Sequence, residues 1–467
     1  MNLKNLFFLL FILLSWSTLA QNTPYFTNGL KVGEVTTNSV VLWSRLCKFP
    51  QPIKVSHQRK DAPFKSPIAF DDDIPVEKMD GAVEGTEGYL RFTINSENFS
   101  LNTDWVKIDS STDYTQKVLI ENLRPNQKYK VIVEGKLHTS GMTNQFKGSF
   151  KTAPEDQMPS PVKFTVSTCQ YFWDFDDKER GFKIYDAMNE LNPDFFIQNG
   201  DYVYYDKPGP LAKSPKKARH KWHAINGWPS LVDFFSKVPV LMQKDDHDLL
   251  MDDYDPSKTH YGKLSAITAQ KIWQEEPPII EKPYRRIRWG KDLEIWLVEG
   301  RDYRSKNSQA DNEDKSIWGK EQKNWFIKTV TESDAKLKIL SSPTPVIGPD
   351  RKTGKNDNHS NDAYRTEGKW LRNFLNNNHM LVICGDRHWQ YVSKDPETAL
   401  MEFSVGPASN AHAQGWNPDD FLPQHEFLRV EGGFLSAELK YENNIPKLIL
   451  KHHDVDGNIV NEVQIED

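Results

Sequence analysis

Cysteine is scarce in this sequence, with three in 467 residues. That excludes a small disulfide-framework scaffold, and the odd count leaves at least one thiol unpaired within the chain. A basic excess is also missing. Lys and Arg total 59 against 65 Asp and Glu, a formal net charge of −6. Nucleic-acid binders usually carry a strong positive surplus, so nucleic-acid binding is not expected. Beyond the first twenty residues no apolar run reaches the roughly 20 residues of a membrane span, and stable membrane insertion is not expected either. Internal repeats and low-complexity tracts are absent. What is there, 12% aromatic and 27% charged residues, describes a folded globular chain. Its length suggests roughly two to three domains, enough to bury a core without disulfide staples.

The chain opens with Lys4, nine apolar residues from Leu6 to Leu14, and a small residue, Ala20, at a plausible cleavage point. This is the pattern of a secretory signal peptide over residues 1–20. The protein is therefore expected to be exported, to a periplasmic or extracellular destination. Exported thiols tend to be oxidised or liganded, which sharpens the question of the odd cysteine.

Residues 21–152 read as short strands separated by Asn/Gly/Pro-rich turns, among them Ser39–Arg45, Tyr89–Asn95, Asp113–Ile120 and Tyr129–Glu134. The spacing predicts an antiparallel β-sandwich of the fibronectin or immunoglobulin kind. Residues 153–161, Ala-Pro-Glu-Asp-Gln-Met-Pro-Ser-Pro, form a proline-rich linker. From 162 to 467 the pattern alternates. Apolar strands are expected at Val162–Cys169, Asp194–Asp201, Val238–Gln243, Leu293–Val298, Leu337–Leu340 and Met380–Cys384, with helices near 179–191 and 362–376 and short strands at the end. Strand–helix alternation predicts an α/β core with a buried sheet.

Open α/β sheets bind ligands beyond the carboxyl ends of their strands. Four strands here end in metal-ligand residue types: Cys169; Asn199-Gly200-Asp201 with Tyr204; Asp245-Asp246-His247-Asp248; and Cys384-Gly385-Asp386 with His388. Each has a bland alternative. Cys169 alone is a small buried hydrophobe, Gly200-Asp201 alone is a turn, and the Asp245–Asp248 run alone is a solvated loop. Together they are hard to explain by packing, because buried carboxylates need partners. In Asp386-x-His388 both side chains fall on one side of an extended segment, a chelating arrangement.

This ordered set resembles the PhoD-like alkaline phosphatase family of the calcineurin-type metallophosphatases. Val298-Glu-Gly-Arg301-Asp-Tyr303-Arg304 is similar to a further family stretch, and Phe26-x-x-Gly29 with Ser39–Trp43 resembles the start of its N-terminal β-domain. Three positions depart from the pattern: Thr168 stands for serine, Glu299 for aspartate, and Asn356–Asp362 for a tryptophan-containing segment. The resemblance implies a four-layer αββα metallophosphatase domain and a dinuclear or larger mixed cluster of iron(III) and calcium. By ligand softness, Cys169, Tyr204 and His388 suit iron, Asp246 and Asp386 suit the second metal, and Asp201 bridges. The implied reaction is in-line attack by a metal-bound hydroxide on a small phosphate mono- or diester. His247 would protonate the leaving group, or only support the ligands. Arg301 and Arg304 would fork onto phosphate oxygens, or only pair with nearby acids. Asp245, Glu299 and His359 have no settled role, His359 being a candidate substrate contact. Residues 207–219 are a candidate lid. The alternatives are a phospholipase D-like phosphodiesterase and a non-catalytic binding protein with a relict site. Oligomeric state is not legible. With Cys169 on iron, Cys47 and Cys384 are expected to be buried and unbridged.

Overall fold

The computed structural model describes residues 23–57, 70, 73–280, 282–351 and 355–465. The expected signal peptide, residues 1–20, lies outside the described residues. Two large mixed sheets carry the fold. In the first, Val162–Ser167, Phe195–Asn199 and Val240–Gln243 run parallel, in register through Phe195↔Phe164 and Phe196↔Val240. All but one residue of these strands are buried, as a parallel sheet covered on both faces requires. The last strands of the chain, Phe434–Glu442, Ile445–His453 and Ile459–Ile465, extend this sheet antiparallel on one side. The second sheet centres on the parallel strands Leu293–Leu297, Leu337–Ser342, Met380–Cys384 and Met401–Val405.

The two sheets face one another. Phe164, Val166, Ile197 and Leu241 of the first share a core with Ile295, Ile339, Ile383 and Phe403 of the second. On the other face of the first sheet, Phe196, Val240 and Met242 meet the helices Lys183–Glu190, Pro215–Ile225 and Pro229–Phe235. The first of these helices buries Ile184, Tyr185 and Met188, one stripe at helical spacing. On the far face of the second sheet, Leu340 and Val382 meet Phe326, Val330, Leu371 and Leu375 of Gly319–Glu332 and Arg365–Asn377. Each fully buried side chain of this kind stabilises by about 1.5–3 kcal/mol.

The N-terminal strands divide between two sheets. Gly88–Ser96, Lys128–Lys136 and Asn144–Lys151 form a sheet of their own with shorter strands. Its Leu90, Phe92, Val131 and Val133 pack on Leu30, Val32, Val40 and Leu42. The strands Leu30–Gly33, Val40–Arg45 and Thr115–Ile120 instead continue the first large sheet, entering it where Gly33 pairs in parallel with Val240. No sequence pattern encodes a pairing over that separation. The lid expected at 207–219 is also different. Ser214 caps the helix Pro215–Ile225 by accepting from Lys217 N, and the carbonyls of Pro208 and Gly209 accept from Tyr171 Oη (2.8 Å) and Trp173 Nε1 (3.0 Å). The segment is helix and pinned loop rather than a free flap. All three cysteines are buried and unbridged.

Candidate metal centre

The parallel strands of both sheets end at the same edge, and the four motif-bearing turns converge there. Three of their residues hold left-handed backbone: Cys169 at φ +51°, Asp201 at +56° and Asp386 at +61°. Such conformations in non-glycine residues cost on the order of 1–3 kcal/mol each and persist only where the surroundings enforce them. Asp248 supplies much of that enforcement. Its carboxylate accepts from Asp201 N (2.9 Å), Val203 N (2.9 Å) and Asp245 N (2.8 Å), tying two turns together. Gly385 lets the fourth turn close in, since a Cβ there would sit 2.2 Å from the Asn199 carbonyl oxygen.

Asp201 is the hub. Its carboxylate belongs to three groups whose ligand atoms lie within 4.8 Å of one another: Cys169, Asp201 and His388; Asp201, Asp246 and His247; and Asp201, Asp245 and Asp386. Cys169 Sγ is 3.5 Å and Tyr204 Oη 3.1 Å from Asp201 Oδ2, and Tyr204 Oη is 3.4 Å from His388 Nε2. All six sequence-predicted ligands, Cys169, Asp201, Tyr204, Asp246, Asp386 and His388, thus meet at one place.

The donor chemistry fits metal ions. Asp201 Oδ1 and Asp245 Oδ2 are buried without a hydrogen-bond partner, which is costly unless a cation takes them up. Burial, then the carboxylates of Asp246, Asp245 and Asp248, push Asp201 well above the usual carboxylate range against the pull of His247. Burial and Asp201 likewise raise the Cys169 thiol and the Tyr204 phenol. So many acidic donors cannot ionise side by side without added positive charge. Burial and then His412 and Arg351 hold His388 neutral, its lone pair free for a metal.

His247 lies against the same cluster. Its Nδ1 is 2.6 Å from Asp206 Oδ1, and its ring lies tilted against Tyr204 with the centroids 4.3 Å apart. Burial alone would lower its pKa, but Asp206, Asp246 and Asp201 raise it well above the ordinary value.

The structure gives Arg301 and Arg304 protein partners. Arg301 is fully buried, with Nε on Asp245 and Nη2 on Asp357 Oδ2 at 3.0 Å. Arg304 donates to the carbonyls of Gly300 and Asp357. Their donors serve protein acceptors, the alternative that the sequence left open. His359 is buried with Nε2 3.1 Å from Glu367 Oε2. Glu299 accepts from Arg301 N (2.8 Å) and Asp302 N (2.9 Å), closing its own turn. Sequence reasoning missed His412, whose Nε2 is 2.9 Å from Tyr204 Oη and whose Nδ1 is 2.7 Å from Asp174 Oδ2. It also missed Asp206 and Asp357. All three are single residues outside the strands and α-helices, His412 ending the short 3-10 helix Asn410–His412, and each is paired with a residue far away in the chain. The one available signal was that His412 follows a strand, Met401–Val405, as the other site residues do.

Known proteins resemble this chain in sequence and fold. The model of the PhoD-like phosphatase family matches residues 164–431, which contain every residue of the centre. Alkaline phosphatase D of Bacillus subtilis (strain 168) is 22% identical over 427 residues, a match covering 79% of this chain and 65% of that protein. The chain thus spans about two thirds of the length of that relative. A solved structure of PhoD superposes with a TM-score of 0.70 at 17% identity, over 96% of this chain and 90% of that one. The purple acid phosphatase PPD1 of yellow lupin (Lupinus luteus) seeds superposes with a TM-score of 0.63 at 12% identity, over 95% of this chain and 74% of that one. At these identities the structural likenesses establish a shared mixed α/β fold. The family match spans more than half of the chain, and the chain belongs to the PhoD-like phosphatase family.

Proposed function

We propose that this chain is an exported, metal-dependent phosphoester hydrolase. The observation that carries the reading is the sharing of Asp201 among three donor groups at the carboxyl ends of the parallel strands of two mixed sheets. Cys169, Tyr204 and His388 would hold iron(III), Asp246 and Asp386 a harder cation such as calcium, and Asp201 both. When bound, such ions supply Lewis acidity toward the phosphoryl group and make water acidic enough to ionise near neutral pH. The succession of helices, sheet, sheet and helices supports the four-layer reading of residues 162–467.

The protein's own groups do the rest. Asp248 fixes the turns that carry Asp201 and Asp245, and Arg301 and Asp357 brace Asp245 from behind. His247, kept protonated by Asp206, is placed to give its Nε2 proton to the departing alkoxide, after which Asp206 steadies the neutral ring in one tautomer. Asp174 and His412 orient the Tyr204 hydroxyl.

Asp201→Asn tests the assignment. Metal content of the purified protein and hydrolysis of an aryl phosphomonoester should fall together. A variant that keeps both its metal and its turnover would refute it. N-terminal sequencing of protein recovered outside the producing cell, with Gln21 first, tests the export.

A further inference from the structure

Four arginines surround the donor set, and they are not equivalent. Arg301 pairs with Asp245 and Asp357, Arg387 pairs with Asp350 and Asp386, and Arg304 donates to backbone carbonyls. All three are buried. Lys355, the nearby ammonium, is held by Asp253 (2.6 Å) and Asp252 (3.2 Å).

Arg351 differs. It is half-buried, and its backbone amide donates to Asp350 Oδ1 at 2.6 Å. Its guanidinium has no carboxylate partner among the described residues, and its Nε is buried without any acceptor. It lies beside Trp389, with Cζ 5.8 Å from the ring centre. Gly415, at φ +94°, makes room for it, because a Cβ there would sit 3.3 Å from Nε and 3.4 Å from Cζ. Both supporting segments also hold His388. Trp389 follows it in the chain, and Gln414 N donates to the His388 carbonyl at 3.1 Å. The Arg351 charge is felt at the His388 imidazole. A half-buried guanidinium without a carboxylate partner among the described residues is suited to receive an anion that arrives.

We propose that Arg351 receives a non-bridging oxygen of the substrate's phosphoryl group and thereby favours monoesters over diesters. The proposal rests on the hydrolase reading above. A phosphomonoester carries three non-bridging oxygens and a diester two. With two of them turned toward the donor set, only a monoester leaves a third for the arginine. Guanidinium N–H groups match phosphate oxygens in geometry and charge. No bond forms or breaks at Arg351; its contribution is to binding.

The test is calorimetric titration of inorganic phosphate into metal-loaded wild type, Arg351→Gln and Arg351→Lys, with kinetics on an aryl phosphomonoester and the matching bis-aryl diester. In Arg351→Gln, phosphate affinity should fall about 10- to 100-fold and monoester KM rise by a similar factor, with kcat nearly unchanged. Diester kcat/KM should change by less than about threefold, and Arg351→Lys should recover part of the affinity. Equal phosphate affinity in wild type and Arg351→Gln overturns the proposal, as does an equal loss on both esters. Loss of bound metal in both variants also overturns it, because the residue is then structural. The titration decides without turnover. A wild type that binds phosphate through Arg351 yet hydrolyses neither ester speaks against the hydrolase reading and not against this residue.

Discussion

Two fully buried clusters among the described residues have ligand-like spacing. One is the centre around Asp201; the other is Asp113, His223 and Glu276, at the seam between the N-terminal strands and the helices of the first large sheet. The second carries its own cations. Arg45 Nε lies 3.6 Å from Asp113 Oδ2, His223 Nε2 pairs with Asp113, and the Lys31 ammonium donates to the Glu276 carbonyl at 3.0 Å. The Asp201 centre gathers more acid, with Asp245, Asp246 and Asp386 all close to the Asp201 carboxylate, whereas in the seam the acids number two. The contrast teaches that donor spacing alone does not define a metal site. What separates the two is how far the protein's own cations balance the acid: Arg45 and His223 face Asp113 at the seam, while at the centre Asp201, Asp245, Asp246 and Asp386 outnumber the arginines paired with them.

Several experiments would break or sharpen this contrast. The largest effect is expected at the hub, where Asp201→Ala should cost on the order of 10⁴-fold in kcat/KM with loss of metal, by steady-state kinetics and elemental analysis. At the seam, Asp113→Ala should destabilise by about 3–5 kcal/mol in denaturant titration, because it strands buried Arg45 and His223, while metal content stays at the wild-type value. A drop in metal there would erase the distinction. His247→Gln should lower kcat about 10²-fold with metal retained, since it removes a proton donor and not a ligand. His412→Gln should weaken metal affinity by about tenfold through Tyr204, read in competition with a chelator and in the position of the tyrosinate absorption band.

The smallest effect is a pH dependence. Burial would raise Asp113, but His223 and Arg45 hold it well below the usual carboxylate range. Its stabilisation is therefore complete above the unfolded carboxylate value of about 4 and lost as pH falls through the lower folded value. Burial and Arg45 would lower His223, but Asp113 raises it on balance. Its stabilisation is complete below the unfolded value of about 6.5 and fades as pH rises through the higher folded value. The stability advantage of wild type over Asp113→Asn should thus shrink at alkaline pH. An advantage that grows with pH instead would contradict the pairing.

The ligand turns were legible in the sequence because each is a short contiguous run directly after an apolar strand, so residue type and strand period place it. The parallel strands were legible for the same reason, as unbroken runs such as Phe195–Ile197 and Met380–Cys384. What was not legible depends on distant partners. The sequence left Arg301 open between a phosphate fork and acid pairing, because its partners Asp245 and Asp357 are distant in the chain, and His412 means little until Tyr204 lies beside it. The left-handed backbone at Cys169, Asp201 and Asp386 is imposed by packing on residues that do not prefer it. The joining of the N-terminal strands to the large sheet is of the same kind, one register contact without a local signal.

That contact, Gly33 beside Val240, bears on how the chain assembles. The partner strand leads directly into Asp245–Asp248, so the ladder that steadies one wall of the centre is completed by the first strand of the fold. During synthesis the early strand must wait for some two hundred residues to emerge before its partner exists. Pairings of such sequence separation form slowly and leave hydrogen-bonding edges open meanwhile. Deleting the N-terminal region would make that delay permanent: Val240–Gln243 would become a bare edge, primed to recruit a strand from another molecule.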